Sequence, residues 1–303
     1  MAGAPPFGED IVLKADEFRL LRDLFAARTG LHFGPESRFS MERRLRERLT
    51  VLKLSSFAEY HHLLRFGAGA AAEWDEAVDL LTTNETYLFR EGRQLRAFES
   101  EVLPRLHDVT RTRRRLAIWS AGCATGEEVY TLAAIIHASG LFPRDVPSDL
   151  RWDVNVYGFD ISRRCVAAAR RGIYGESAFR ATTPEQRDAF FERAPGGFRA
   201  IAPVRELCHF AHVNLLDEDR AKLLGHADAI FCRNVLIYFE HRARKLAIEA
   251  LYDRLNPGGV LFLGHSESLL NVSTAFELLH LKEDLVYRKP LAAREPDPTR
   301  PRS

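Results

Sequence analysis

The chain has 303 residues, 46% of them hydrophobic and 28% charged, enough to bury a sizeable core as one large or two modest domains. Its 43 basic and 42 acidic residues leave a formal charge of +1, so no whole-molecule field speaks for nucleic acid or an acidic membrane, and any basic docking surface must be local. Four cysteines without a Cys-x-x-Cys pair argue against a disulfide framework or zinc ribbon, the opening MAGAPPFGED lacks the features of a secretion signal, and no run approaches the ~20 apolar residues of a membrane span; a reduced cytoplasmic protein is predicted.

The first predicted unit is helical and covers residues 11–81. Phe18, Leu21, Leu24 and Phe25 recur at spacings of three and four, and Gly30 reads as a helix stop. A second helix over 40–53 sets Met41, Leu45, Leu49 and Leu52 on one face and Arg43, Arg44 and Arg48 on the other, predicting an exposed basic face. Helices over 56–66 and 71–81 follow, joined by the glycine- and alanine-rich FGAGAAAE at 66–73.

Residues 82–98 are expected to link this unit to the next. Within LTTNETYLFR (81–90), Asn84 and Thr86 offer short polar groups and Arg90 a planar cation. A competing local reading makes Thr82 and Glu85 the two ends of a helix capping box.

From Arg115 apolar runs alternate with helical stretches: LAIWSA (116–121), VNVYGFD (154–160), ADAIFCRN (227–234) and VLFLG (260–264). The alternation predicts a parallel sheet with crossover helices over 99–289. Residues 189–214, ending in HFAHVN, read as an inserted β-hairpin or three-stranded piece around Gly196-Gly197, and the proline-rich stretch 290–303 as a disordered tail.

WSAGCATGEEVYTLA (119–133) reads as the first strand-to-helix turn of a nucleotide-binding sheet. Glu127 and Glu128 place negative charge where a pyrophosphate would sit, which disfavours a dinucleotide. A carboxylate there suits a ligand carrying an ammonium group, as S-adenosylmethionine does, and Asp160 at the next strand end suits ribose hydroxyls. The alternative is a tight turn followed by acids that favour a helix start. In FCRNVLIYF (231–239), Arg233, Asn234 and Tyr238 interrupt a buried run at the end of a strand, the side on which open α/β sheets bind ligands. Cys208, His209 and His212 do not make a metal site, because a strand sends 209 and 212 to opposite faces; no metal is predicted.

At these stretches the sequence resembles the CheR family of chemotaxis receptor methyltransferases, S-adenosylmethionine-dependent protein-glutamate O-methyltransferases. The resemblance spans nearly the whole chain: RRLRERL (43–49), TNETYLFR, WSAGCATGEEVYTLA, GFDIS (158–162), GIYG (172–175), VNLLD (213–217), FCRNVLIYF and LNPGGVLFLGHSES (255–268) occur in order. It implies an α/β class I methyltransferase (Rossmann-like) sheet with a small antiparallel β-insertion over about 189–213, preceded by an N-terminal all-α domain that docks the receptor through its basic helix.

It also implies roles. Asn84, Thr86 and Arg90 would contact the cofactor, Glu127 its amino group, Asp160 the ribose, and Asn214 with Leu215 the adenine. Arg233 and Asn234 would lie along it, and Arg90 with Tyr238 would flank the reacting methyl group. Arg43, Arg44 and Arg48 would meet the cytoplasmic helices of a methyl-accepting receptor. The expected reaction makes glutamate methyl esters and S-adenosylhomocysteine, in a monomer with neither nucleic acid nor inserted membrane as partner. Two departures from the family pattern are visible: Leu88 replaces the first Phe of the usual Phe-Phe-Arg, and the insertion's glycine loop, 194–198, is short. Two other readings compete: a methyltransferase for another acceptor, weakened by the lack of an Asn-Pro-Pro-Tyr motif, and a non-catalytic S-adenosylmethionine-binding adaptor.

Overall fold

The computed structural model describes residues 11–217 and 225–291. Helices α1 (Ala15–Thr29), α2 (Arg38–Leu52), α3 (Phe57–Phe66) and α4 (Ala70–Leu81) close around their own core of Phe18, Leu21, Phe25, Met41, Leu45, Leu49, Phe57, Tyr60 and Trp74. The ends follow from the sequence. Gly30 adopts φ 75° and donates its N–H to Ala26 O to stop α1, and the Ser56 hydroxyl accepts the Glu59 N–H to start α3.

After an irregular stretch from Thr82, α5 (Gly92–Ala97) runs through a π-turn into α6 (Leu103–Thr110). Then come β1 (Arg115–Ala121), α7 (Glu127–Ser139), β2 (Asp153–Asp160), α8 (Arg163–Arg171), β3 (Ile173–Tyr174), α9 (Pro184–Phe190), β4 (Phe191–Ala194), β5 (Gly197–Ala200), α10 (Ala202–Arg205) and β6 (Cys208–His212). They are followed by β7 (Ala227–Cys232), α11 (His241–Arg254), β8 (Leu255–Leu263), β9 (Glu277–His280) and β10 (Leu285–Arg288).

The main sheet has the order β6-β2-β1-β7-β8-β10-β9. Neighbours from β6 to β8 pair in parallel, whereas β10 is antiparallel to β8 and to β9. Strand order reverses between β1 and β7, and in a doubly wound sheet the crevice opens at such a switch, outside the carboxyl ends of the strands. One core lies on each side of the sheet, one around Ile118, Phe231 and Phe262, the other around Trp119, Ile230 and Leu261. This is the expected Rossmann-like α/β sheet with a small antiparallel insertion, preceded by an all-α domain.

Three expectations change. HFAHVN is not part of the insertion: Cys208–His212 forms β6, the parallel edge of the main sheet against β2, and the third strand of the insertion is Ile173–Tyr174, giving the antiparallel order β3-β5-β4. A short strand carries too little periodicity to say which sheet will pair with it. The capping box at Thr82 and Glu85 does not form, because α4 ends there and no helix begins before Gly92. Of the tail, Pro290 is buried, and the backbone of Lys289 pairs with Gly258 and Gly259; the remainder, 292–303, lies outside the described residues. Among the described residues no helix is long and apolar enough to cross a membrane.

The helical domain docks on the sheet domain through the end of α1. His32 N–H donates to Tyr238 O at 2.7 Å, Glu240 N–H to Gly30 O at 3.1 Å, and the Asn214 amide to Arg28 O at 2.8 Å. Gly30 is required here twice over: its φ is left-handed, and a Cβ would sit 2.8 Å from Ala243 and Leu216. An ion pair of Arg163 with Asp75 at 2.6 Å joins α8 to α4.

The basic face expected on α2 is largely committed to the fold. Arg48 forks onto Glu73 at 3.0 and 2.6 Å, beside the Tyr60 hydroxyl at 2.6 Å, and Arg44 donates to the carbonyls of Leu80, Leu81 and Thr82 at the end of α4. Arg43 alone of the three is exposed. Spacing shows which residues share a face and not what covers that face. Reversing Arg48→Glu should therefore lower stability by about 3 kcal/mol, because it leaves the buried Glu73 carboxylate without its cation, whereas Arg43→Glu should leave the urea midpoint unchanged. Equal midpoints for both variants would contradict this.

Candidate active site

A cavity of about 360 Å³ lies between the two domains, at the carboxyl ends of β1, β2 and β7. Its walls bring together Asn84, Thr86, Arg90, Asp160, Asn214, Leu215, Arg233, Asn234 and Tyr238, residues from four separate stretches of the chain, with Arg44 at the side of the helical domain. Arg43 and Arg48 are not on its wall, and neither is Glu127.

The floor is the turn after β1. Gly122 takes φ 73°, and a Cβ there would collide with Val235, so this glycine lets two protein loops meet. Ala124 follows at φ 46°, its N–H donating to Asp160 Oδ2 at 2.8 Å, while Asp160 Oδ1 accepts the Ser162 N–H at 2.8 Å. Burial pushes the Asp160 carboxyl up, against the pull of these backbone donors. Each oxygen keeps a lone pair for a ligand hydroxyl.

The two acids that start α7 part company. Glu128 faces the cavity, accepts the Ser120 hydroxyl at 2.7 Å and pairs with Arg233 at 3.3 Å. Glu127 turns to the Thr125 hydroxyl at 2.7 and 2.9 Å and, among the described residues, has no ion pair. Burial raises its pKa. A buried carboxylate beside the cavity with no close ion pair among the described residues is suited to receive a cation from a ligand.

Arg233 joins the walls. Its side chain is 3% exposed and reaches Arg90 O at 2.8 Å, Glu91 at 3.2 Å and Glu128, while its Nε has no acceptor among the described residues. Arg90 donates to Glu85 O at 2.9 Å, lies 5.5 Å from the Tyr87 ring and stands 3.9 Å from Glu91. Phe89 and Glu91, on either side of it, take φ 56° and 59°, and Asn234 takes 58°. Left-handed conformations at non-glycine residues cost on the order of 1–3 kcal/mol each and persist where the surroundings enforce them. Here the Phe89 N–H is anchored to the buried Thr131 hydroxyl at 3.0 Å and the Leu88 N–H to Ala178 O at 2.9 Å. Leu88 itself is fully buried, so at this position an aliphatic side chain fills the core.

Asn214 commits its side chain to Arg28 O and to the Leu216 N–H. Tyr238 is 36% exposed, and its hydroxyl has no partner among the described residues.

Both parts of the chain match one family: CheR methyltransferase, all-alpha domain, over residues 16–82, and CheR methyltransferase, SAM binding domain, over residues 84–285. The chain belongs to the CheR methyltransferase family. It is 34% identical to chemotaxis protein methyltransferase 2 of Vibrio cholerae over 93% of this chain and 95% of that one. It is 33% identical to the chemotaxis protein methyltransferase of Vibrio parahaemolyticus (92% and 98% covered) and 31% to chemotaxis protein methyltransferase 1 of Pseudomonas aeruginosa (90% and 97%). The chain is thus an S-adenosylmethionine-dependent methyltransferase of chemotaxis, and the site's chemistry is compatible with that cofactor: the buried Asp160 on the cavity wall keeps acceptor capacity for hydroxyls, Glu127 lies buried just behind the wall, and acids at the start of α7 disfavour a pyrophosphate.

Sequence reasoning missed Glu91, Thr131 and Glu267. None has a local signature, since each acts on a segment distant in sequence: Glu91 on Arg233, Thr131 on Phe89, Glu267 on the loop after β7.

Proposed function

We propose that the protein transfers the methyl group of S-adenosylmethionine to glutamate side chains on the cytoplasmic helices of a chemoreceptor, acting as a monomer in the cytoplasm. The observation that carries this reading is Arg90, a guanidinium on the cavity wall with 29% of its side chain exposed and, among the described residues, no carboxylate closer than 3.9 Å. It is available to a carboxylate from outside, which it can hold with two parallel hydrogen bonds. S-adenosylmethionine, when bound, supplies a sulfonium methyl that a carboxylate oxygen displaces, the C–S electron pair leaving with sulfur. A glutamate acceptor, with an ordinary pKa near 4.3, is already ionised at neutral pH, so the site needs no general base. Its residues have to align and desolvate. Arg90 orients the acceptor, and the Tyr238 hydroxyl on the cavity wall borders its approach.

We assign the cofactor's ammonium group to Glu127, its ribose to Asp160, and the flanks to Asn84, Thr86, Arg233 and Asn234. With the Asn214 side chain engaged by the chain, the contact to adenine falls to Leu215 and its backbone. Burial holds the Glu127 pKa above the ordinary carboxylate range, and the ammonium group needs the ionised form. Cofactor affinity should therefore fall as pH is lowered through that raised pKa, and Glu127→Gln should bind at least tenfold more weakly with a flatter profile, by calorimetric titration of S-adenosylhomocysteine at several pH values. An unchanged profile would reassign the ammonium group. For receptor docking, Arg43 is the one member of the basic trio free to act without disturbing α4.

The test of function is transfer of labelled methyl from S-adenosylmethionine to membranes bearing a chemoreceptor of the same organism, followed by alkali. Release of labelled methanol demonstrates a glutamate methyl ester. Cofactor binding with no transfer to any receptor of that organism would favour the adaptor reading.

A further inference from the structure

Glu267 lies in the LGHSES segment after β8 and does not line the cavity. Its carboxylate accepts four backbone N–H groups. Oε2 takes those of Asn234 at 2.8 Å and Gly264 at 2.7 Å; Oε1 takes those of Val235 at 2.9 Å and Ile237 at 3.3 Å. Among the described residues no Lys, Arg or His pairs with it, so its charge is met by peptide dipoles alone. Charge-assisted bonds of this kind are about twice as strong as neutral ones.

Three of the four donors lie between Arg233 and Tyr238, and the fourth closes the end of β8. The carboxylate thus ties the loops after two neighbouring parallel strands into one unit. The fit is tight at Gly264, where a Cβ would stand 2.8 Å from Asn234 N and 2.9 Å from Glu267 Oε2. It also accounts for the left-handed Asn234, since that turn is what points successive N–H groups at a single acceptor.

We propose that Glu267 is a positioning residue for methyl transfer, acting through the main chain that carries Arg233, Asn234 and Tyr238. The inference rests on the cavity being the transfer site. A displacement of about 1 Å in such a site costs on the order of 100-fold in rate, so a clamp outside the cavity can govern turnover without touching either reactant.

Glu267→Gln is the sharp probe. It keeps shape and volume, removes the charge, and turns an NH2 group toward two of the four donors. At saturating cofactor the transfer rate should fall at least tenfold, and the amides of Asn234, Val235, Ile237 and Gly264 should exchange hydrogen at least tenfold faster while that of Ile118 in β1 is unchanged. In a cycle with Tyr238→Phe the double variant should lose less than the product of the single losses, because Tyr238 is no longer placed once the loop is released. A lesion that only lowers global stability would give neither the local exchange nor the non-additivity. Should Glu267→Gln fail to fold, Glu267→Asp, which keeps the charge but is one methylene shorter, should show the same pattern with smaller losses. A rate within twofold of the parent, unchanged exchange at the four amides, or multiplicative losses would overturn the proposal. If Tyr238→Phe alone turns over normally, Tyr238 leaves the mechanism; Glu267 is then decided by amide exchange and by the cofactor affinity that Arg233 and Asn234 report.

Discussion

Arg90→Ala should lower methyl transfer by about 100-fold or more while S-adenosylhomocysteine still binds within several-fold of the parent. Among the described residues the guanidinium has one hydrogen bond, to Glu85 O, and a loose approach to Glu91, so its removal uncovers no buried charge and the fold should survive. What disappears is a planar cation held in place by its neighbours. Phe89 and Glu91 take left-handed conformations on either side, and the Leu88 and Phe89 N–H groups are anchored to Ala178 and Thr131. That backbone is preorganised before any acceptor arrives, and preorganisation is what a reaction without acid–base chemistry draws on. Tyr238→Phe, losing one unpartnered hydroxyl, should cost less, about tenfold. Single-turnover rates beside calorimetric affinities separate the cases: if affinity falls as far as the rate, Arg90 serves the cofactor and does not orient the acceptor.

The second large effect is expected at Asp160. Asp160→Asn keeps the size but replaces one carboxylate oxygen, each of which accepts a backbone N–H at 2.8 Å, with a donor. Either the Ala124 or the Ser162 N–H then loses its acceptor, and the ribose loses a charged partner. Hydrogen bonds to a charged group contribute about 1.5–3 kcal/mol each, so two ribose hydroxyls correspond to a rise in the cofactor dissociation constant of at least about 100-fold. Because Ala124 is left-handed and bound directly to this carboxylate, the melting temperature of the ligand-free protein should also drop by a few degrees. A dissociation constant within threefold of the parent would remove Asp160 from ribose recognition.

Much of this site is legible in the chain because its chemistry is local. A strand that breaks at Gly122 and restarts as a helix at two glutamates carries its own meaning, as do polar residues interrupting the apolar run at 231–239 and an acid ending the run at 154–160. The α1 stop at Gly30 and the α3 start at Ser56 are equally local, each set by one residue's backbone preference or side-chain acceptor.

The amino-acid sequence by itself determined the helical domain, the parallel sheet, the family and the side of the sheet that faces the ligand, since periodicity, caps and motif order act over a few residues at a time. Tertiary structure alone decided that Cys208–His212 joins the main sheet, that Arg44 and Arg48 bond to the end and side of α4, that Glu128 pairs with Arg233 while Glu127 has no ion pair among the described residues, and that Glu267 gathers two loops. Each of these is a pairing of charges or strand edges brought together from distant parts of the chain. Which partner a strand edge or an ion takes is settled by packing, and no spacing along the chain encodes it.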